Sequence, residues 1–281
     1  MATEEEIQKL AMVALFRSFK VHEDLGDRGK ELVKKNDFGE TALRIDIESE
    51  LEILNVLREA KFPIRVHSEE HGITEITDNP IYLGVLDGLD GTYVYSQSRG
   101  RGRYGTMFGV FNSVDPSYDD YVFSGVMEHS TNRLFFAIKG KGSFFLEKGV
   151  IKPICCADTK ILDKSARIYV DEYFEINRKV FSEKLTGFNI KYFLSSCLYY
   201  VDVASGAADL ALECTRKRNL EIAVSYGLIK ESGGAMVDID GKSIGDRKYL
   251  EFGQNTNIPI ITAATNDLAI QLIDHLKCQS L

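Results

Sequence analysis

Apolar positions along the chain fall into repeating patterns, and each pattern assigns an element. Ile7, Leu10, Ala11, Ala14 and Leu15 recur at three- and four-residue intervals, the spacing of one helix face. Thr3 supplies an N-cap and Glu5 and Glu6 put acids in the first turn, so a helix is predicted over 3–19. A second helical piece is predicted over 30–35, followed by a loop over 35–40. A third helix starts at Asp46, with Ile47, Leu51, Leu54 and Leu57 on one face, and Pro63 closes it. Residues 64–67 read as a strand. The apolar run from Ile81 to Leu86 reads as another, breaking into Asp87-Gly88-Leu89-Asp90-Gly91-Thr92.

Beyond that break the chain turns strongly β. Strands are predicted over 107–111, 121–127 and 133–138, with their aromatic residues in the core and hairpin punctuation at 139–142 and 147–149. From about Ile151 strands and helices alternate. Strands are predicted over 167–170, 191–194, 208–213, 235–239 and 258–263. Helices are predicted from Ser195 or Ser196 toward Ala204, over 220–231 with a stop at Ser232-Gly233-Gly234, and over 267–277. No internal repeat, low-complexity segment or Pro/Gly/Ser-rich linker interrupts the pattern.

Composition narrows the class. A chain of 281 residues makes one large domain or two small ones, and 44% apolar with 27% charged residues is ordinary for a soluble globular protein. The net charge of −8 argues against nucleic-acid and membrane-surface partners, which need basic patches. An anionic substrate stays open, because bound cations invert the local field. The five cysteines, Cys155, Cys156, Cys197, Cys214 and Cys278, are odd in number and contain no C-x-x-C pair, so a reduced, cytoplasmic setting without a disulfide framework is expected. The acidic N-terminus lacks a signal-peptide core, and no apolar run approaches the roughly 20 residues that span a bilayer.

Candidate chemistry sits in four acidic features. Asp87 and Asp90 stand three apart, each followed by glycine, where a buried strand emerges. Three extended residues span about 10 Å, and a β-turn brings the α-carbons under about 7 Å. Both carboxylates then line one site, where divalent ions about 3.5–4 Å apart share a ligand. Asp-Gly pairs after a strand also read as plain turns; but carboxylates so close repel unless a cation or proton lies between them, so the alternative is the floor of a metal site. Asp46 at a helix start also reads as an N-cap, Glu69-Glu70 after a strand as solvated charge, and Glu221 in an opening turn as a dipole partner. Glu69-Glu70 and Asp87 emerge at the same edge only if their strands run parallel or the loop folds back. The glycine-interrupted basic run Arg99–Arg103 reads either as a flexible loop or as a mobile element that meets phosphate.

In combination these residues resemble the inositol monophosphatase superfamily. Asp87-Gly88-Leu89-Asp90-Gly91-Thr92 is similar to its D-P-I-D-G-T signature and Ser68-Glu69-Glu70 to its G-E-E element. Glu221-Ile-Ala ahead of Ile229-Lys-Glu-Ser-Gly-Gly234 is similar to its W-D-x-A…E-A-G-G element, and Lys139-Gly-Lys-Gly142 fits a further stretch. The order and spacing hold from roughly Asp46 to the C-terminus. The short loop 36–41 and the lack of tryptophan resemble the archaeal-type members, which combine inositol-1-phosphate and fructose-1,6-bisphosphate hydrolysis.

The resemblance implies an α+β fold, a layered αβαβα sandwich of the sugar-phosphatase type. It implies a single phosphatase domain over 1–281, with lobes of about 1–150 and 151–281 sharing one active site, and a homodimer. The implied activity is Mg²⁺-dependent hydrolysis of a small phosphorylated substrate, with two or three ions and Mn²⁺ as a possible substitute. Glu69, Asp87 and the Leu89 carbonyl would hold one ion, and Asp87 would bridge to a second held by Asp90 and Glu221. Thr92, hydrogen-bonded toward Asp46, would orient and deprotonate the attacking water with Glu70 assisting. The amides of Gly91 and Thr92 would cradle the phosphate. Ser195, Ser196 and Glu213 fall where family members meet sugar hydroxyls. Arg216 and Arg218 of the basic loop are candidates for a second phosphate. Oxygen ligands suit a hard ion such as Mg²⁺.

Two departures stand out. Gly88 replaces the signature proline, an expected loosening of the turn by about 0.5–1 kcal/mol. Glu221 replaces the aspartate of the W-D element with a longer arm. Three rival readings remain beside this one. A haloacid-dehalogenase-type enzyme needs Asp-x-Asp, whereas the spacing here is Asp-x-x-Asp. A 3′-phosphoadenosine 5′-phosphate phosphatase is the alternative within the same chemistry. A catalytically impaired metal- or sugar-phosphate-binding homologue would bind without turnover.

Overall fold

The computed structural model describes residues 2–36, 39, 41–254 and 256–279; Asp37, Phe38 and Glu40 of the predicted loop lie outside them. Helix α1 (Glu4–Leu25) opens on a capping box, in which Thr3 Oγ1 accepts from the Glu6 amide and Glu6 Oε2 accepts from the Thr3 amide. It runs a turn and a half past the expected end, because Ser18 and His22 continue its buried face. The predicted helical piece over 30–35 is instead strand β1 (Leu32–Lys35), paired antiparallel with β2 (Thr41–Leu43) after a short 3₁₀ turn over Gly26–Lys30. All of β1 is exposed, so no apolar stripe exists to hold a helix there, and the ladder to β2 decides the conformation.

Helix α2 (Arg44–Glu59) leads to β3 (Ile64–Ser68), β4 (Ile73–Glu75), β5 (Tyr82–Asp90) and the short helix α3 (Thr92–Ser98). Next come β6 (Gly105–Phe111), β7 (Tyr121–Glu128), β8 (Arg133–Ile138), β9 (Gly142–Glu147) and β10 (Val150–Ile154). The remainder holds β11 (Ile168–Val170), α4 (Glu175–Val180), β12 (Ile190–Lys191), α5 (Ser196–Ala204) and β13 (Leu210–Cys214). It closes with α6 (Leu220–Glu231), β14 (Ala235–Asp238), β15 (Pro259–Ala263) and α7 (Asn266–Cys278).

Two sheets organise these elements. The larger runs β10-β9-β8-β7-β6-β5-β3-β4 and is antiparallel except where β3 meets β5; the smaller runs β12-β11-β13-β15-β14. Helices α1 and α2 cover one face of the large sheet, α5 and α6 fill the space between sheets, and α4 and α7 cover the outer face of the small one. The result is the expected α+β sandwich with αβαβα layering. Helix α6 is buried on every side from Leu220 to Ile229, as a layer between two sheets requires, so it lacks a polar stripe. Gly227 permits this close packing, since a side chain there would run into Ser124 and approach the Tyr121 ring at 2.7 Å.

The parallel pairing of β3 and β5 is the feature the site depends on. Ser68 lies opposite Leu86, so Glu69 and Asp87 leave the sheet side by side. The break expected at Asp87 is not a free turn. Strand β5 continues to Asp90, with an irregular register against β6 between Asp87 and Asp90 that re-aims the acids.

Candidate active site

Carboxylate oxygens of Asp87, Asp90 and Glu221 all lie within 4.8 Å of one another. Asp87 comes from the end of β5, Asp90 from just beyond the bulge, and Glu221 from the first turn of α6. Two successive residues in left-handed conformation, Arg218 (φ 63°) and Asn219 (φ 54°), deliver that first turn. Asn219 is suited to this backbone, and its side chain locks it by accepting from the Arg216 amide (2.9 Å) and donating to the Phe252 carbonyl (2.6 Å).

Burial, followed by the charges of Glu69, Asp90 and Glu221, pushes the Asp87 carboxyl well above the usual carboxylate range. Burial and then Glu221 raise that of Asp90. Asp90 Oδ2 accepts from Ser195 Oγ (2.7 Å) and from the Cys197 amide (2.8 Å) at the start of α5, which fixes the carboxylate's orientation. Ser195 therefore stands at the helix start as expected, but its hydroxyl serves Asp90 rather than the helix's own amides. A buried, all-oxygen cluster with raised affinity for positive charge fits a hard divalent ion. Glu69 lines the same cleft, with Asn36 Nδ2 bridging it at 3.3 Å to Glu70 at 3.0 Å. Burial also raises the Glu70 carboxyl, and its Oε2 is enclosed without a hydrogen-bond partner among the described residues, an acceptor suited to a water.

The Thr92 hydroxyl lies 3.0 Å from Asp46 Oδ1 and 2.9 Å from the Leu89 carbonyl, and it has one proton to share between them. Asp46 is not a side-chain N-cap; it sits inside the first turn of α2 and accepts from the Leu43 amide at 2.6 Å. Burial holds its carboxyl well above the ordinary range. Gly91 (φ 90°) needs to be glycine both for its backbone and because a Cβ would press on Ser195 at 3.0 Å.

Gly88 departs from expectation in an informative way. A side chain there would collide with the Asp46 carbonyl and approach Glu50 Cγ at 2.8 Å, and Thr106 Oγ1 donates to the Gly88 carbonyl at 2.7 Å. The glycine lets the α2 backbone lie directly on the turn, so the segment is clamped rather than loosened.

These residues open onto a cleft of about 850 Å³. Glu69, Asp87, Leu89, Asp90, Gly91, Thr92, Ser195, Ser196, Arg216 and Glu221 line it, whereas Asp46, Glu70, Glu213 and Arg218 are not among the lining residues. Glu213 lies behind the wall, bonded by the Tyr200 hydroxyl and by Arg216. The Arg216 guanidinium meets Asp171 (2.9 Å), Glu213 (3.3 Å), Glu221 (3.4 Å) and Ser196 (3.0 Å), and stacks at 4.1 Å over Phe174. Arg218 donates to the Ser68 carbonyl at 3.4 Å. In the Arg99–Arg103 run, Arg103 turns inward to Glu128 (2.6 Å) and Asp202 (2.8 Å), joining the two sheets' layers instead of meeting the cleft.

Two site residues escaped the sequence reading. Asp171, which anchors Arg216 at the cleft wall, follows strand β11 as Glu69 follows β3, so an acid at a strand end was the available signal. Glu50 is fully buried and accepts from three backbone amides at 69–71. Its signal was its place one turn after Asp46 on the same helix.

A family model described as "Inositol monophosphatase family" matches residues 1–276. The bifunctional NADP phosphatase/NAD kinase of Methanococcus maripaludis is 29% identical over 247 residues, covering 84% of this chain; the chain spans 43% of that relative's length. The fructose-1,6-bisphosphatase/inositol-1-monophosphatase of Methanothermobacter thermautotrophicus is 29% identical over 228 residues, 76% of this chain and 77% of the relative. Among solved structures, Thermotoga maritima IMPase shares the fold with TM-score 0.75 at 19% identity, covering 97% of both chains. The suhB protein of Bartonella henselae shares it with TM-score 0.76 at 17% identity, covering 96% of this chain and 97% of its own.

Proposed function

Because this chain belongs to the inositol monophosphatase family, we propose that it is a Mg²⁺-dependent phosphomonoesterase acting on sugar or inositol phosphates, inositol-1-phosphate and fructose-1,6-bisphosphate foremost. The observation that carries this reading is the convergence of Asp87, Asp90 and Glu221 oxygens within 4.8 Å, from elements far apart in the chain. Glu69, Asp87, the Leu89 carbonyl, Asp90 and Glu221 are the residues that would hold Mg²⁺, or Mn²⁺ in its place. When bound, the ions acidify a water and offset charge on the phosphoryl oxygens and the leaving alkoxide.

The chain's own residues divide the remaining work. Thr92 donates a hydrogen bond to Asp46 Oδ1, which leaves its oxygen lone pair to accept from the attacking water. As the water attacks, its proton passes to Thr92 while the Thr92 proton moves to Asp46, whose burial raises its proton affinity. Glu70, bridged through Asn36 Nδ2 to Glu69 of the cleft wall, assists from nearby. The amides of Gly91 and Thr92 face the phosphate, and Ser195 and Ser196 meet the hydroxyls of the leaving group. Arg216, held by three carboxylates, balances their charge more readily than it grips a second phosphate, and Arg218 is not among the residues that line the cleft. Residues about 1–150 and 151–281 act as lobes of one domain in this reading, and the assembly is a homodimer.

A second substrate class is favoured by one observation. Tyr93 and Tyr173, 61% and 65% exposed, line the cleft together with Phe174. Open rings beside a phosphate site suit a base, so a phosphorylated nucleotide such as NADP or 3′-phosphoadenosine 5′-phosphate is the alternative. Phosphate release from inositol-1-phosphate, fructose-1,6-bisphosphate, NADP and 3′-phosphoadenosine 5′-phosphate, each with Mg²⁺ and with chelator, tests both. Release that persists in chelator refutes the metal-dependent scheme, and Mg²⁺ binding with no release from any substrate points to an impaired homologue.

A further inference from the structure

We propose that Glu50 is a positioning residue for the metal-holding acids. Its buried carboxylate fixes the backbone that presents Glu69 and Glu70, and its stem braces the turn that presents Asp87. The inference rests on the metal-dependent reading above and adds a residue that the reading itself does not use.

Glu50 is fully buried, an environment in which polar oxygens need hydrogen-bond partners. Its partners come from one short segment. Oε1 accepts from the amides of Glu69 (3.0 Å) and Glu70 (3.1 Å). Oε2 accepts from the amides of Glu70 (3.1 Å) and His71 (3.0 Å), and pairs with His71 Nδ1 at 2.8 Å. Three consecutive backbone N–H groups thus converge on one side chain. Charge-assisted bonds of this kind are stronger than neutral ones, so the segment cannot rotate Glu69 away from the cleft without giving several of them up.

The same side chain reaches the second acidic segment. Its Cγ would stand 2.8 Å from a Cβ at position 88, so the stem packs against the Asp87–Asp90 turn. Strands β3 and β5 run parallel and end side by side, and Glu50 fills the space between their ends and helix α2. Asp46 lies one turn earlier on that helix and reaches Thr92. Helix α2 therefore aims two carboxylates, four residues apart, at two adjacent strand ends. An amide cannot substitute for the second of them, because its NH₂ would face an N–H donor whichever way it turned.

The test uses the full chain as wild type, Glu50→Gln, Glu50→Asp and Leu54→Ala, the last a buried control on the same helix. Mg²⁺ and Mn²⁺ binding is measured by calorimetry without substrate, amide hydrogen exchange is followed at residues 69–71, and thermal melting is recorded. The expected result for Glu50→Gln is ion affinity lower by about 10–100-fold, with faster exchange at 69–71 while α2 stays protected. Leu54→Ala is expected to melt earlier with unchanged ion affinity, which separates positioning from stability alone. If Glu50→Gln does not fold, Glu50→Asp is read against the same expectations. A folded Glu50 variant with wild-type ion affinity and wild-type exchange overturns the inference while leaving the metal-dependent reading intact. A wild-type protein that binds neither ion overturns both.

Discussion

Replacing Asp90 by Asn probes the site through three observables: melting without metal is expected to rise, while melting in Mg²⁺ and turnover fall. The substitution keeps the shape of the side chain and removes one charge from a cluster whose oxygens lie within 4.8 Å of each other. At that separation and an effective dielectric constant of about 20, each like-charged pair costs on the order of 3 kcal/mol, part of which the folded protein already avoids by taking up protons. Against this gain stands the weakening of two hydrogen bonds, from Ser195 Oγ and the Cys197 amide, which lose their charged acceptor at about 1 kcal/mol or more together. The net expectation without metal is a gain of about 1–2 kcal/mol, or several degrees in melting temperature for a chain of this size. Saturating Mg²⁺ reverses the order, because it stabilises only the protein that binds it, and turnover in Mg²⁺ falls by at least about 100-fold. Melting curves with chelator and with Mg²⁺, run beside a phosphate-release assay, read all three. An Asp90→Asn protein that melts earlier than wild type in chelator, or that keeps near-normal turnover, refutes the argument that these acids are gathered at a cost in order to hold cations.

Other consequences follow from the same geometry. Gly88→Ala is expected to destabilise the protein by about 2–4 kcal/mol in denaturant titrations, since its methyl meets the Asp46 backbone, and Gly88→Pro, which restores the family signature, is expected to be no better. A tolerated Gly88→Pro shows that α2 yields easily at this contact. Arg216→Gln strands Asp171, Glu213 and Glu221 without their shared cation, with an expected cost of about 3–5 kcal/mol in the same measurement; an unchanged midpoint means that the network relaxes through water. Asp46, Asp87 and Asp90 have folded-state pKa values raised above their unfolded values, so the metal-free protein binds extra protons when folded. Its stability is therefore fully present below about pH 4 as far as these groups are concerned, and is lost as pH rises through their raised values. Melting temperature in chelator between pH 4 and 7 checks the sign, and Mg²⁺ flattens the slope.

How much was legible in the chain depended on how local the cause was. The helix over Leu220–Glu231, the strand ahead of Asp87 and the strands β3, β6, β7 and β8 follow from spacing, caps and glycine stops, which act within a few residues, whereas β4, β9 and β10 carry no such pattern. The acids that close on one another were legible as candidates because each sits where an element begins or ends. The strand at Leu32–Lys35 was not, because its partner β2, and not its own apolar pattern, gives it a ladder.

What the sequence determined alone was the inventory: oxygen ligands at element ends, and most of the elements that carry them. What tertiary structure decided was the meeting. Only the parallel register of β3 with β5 sets Glu69 beside Asp87, and only the seating of α6 between the sheets carries Glu221 to Asp90. Glu50 and Gly88 take their meaning from the same contact, since a helix resting on a turn leaves no trace in the periodicity of either segment. Local pattern is set by backbone sterics and side-chain spacing, whereas strand pairing and layer order are set by which apolar faces can be buried together.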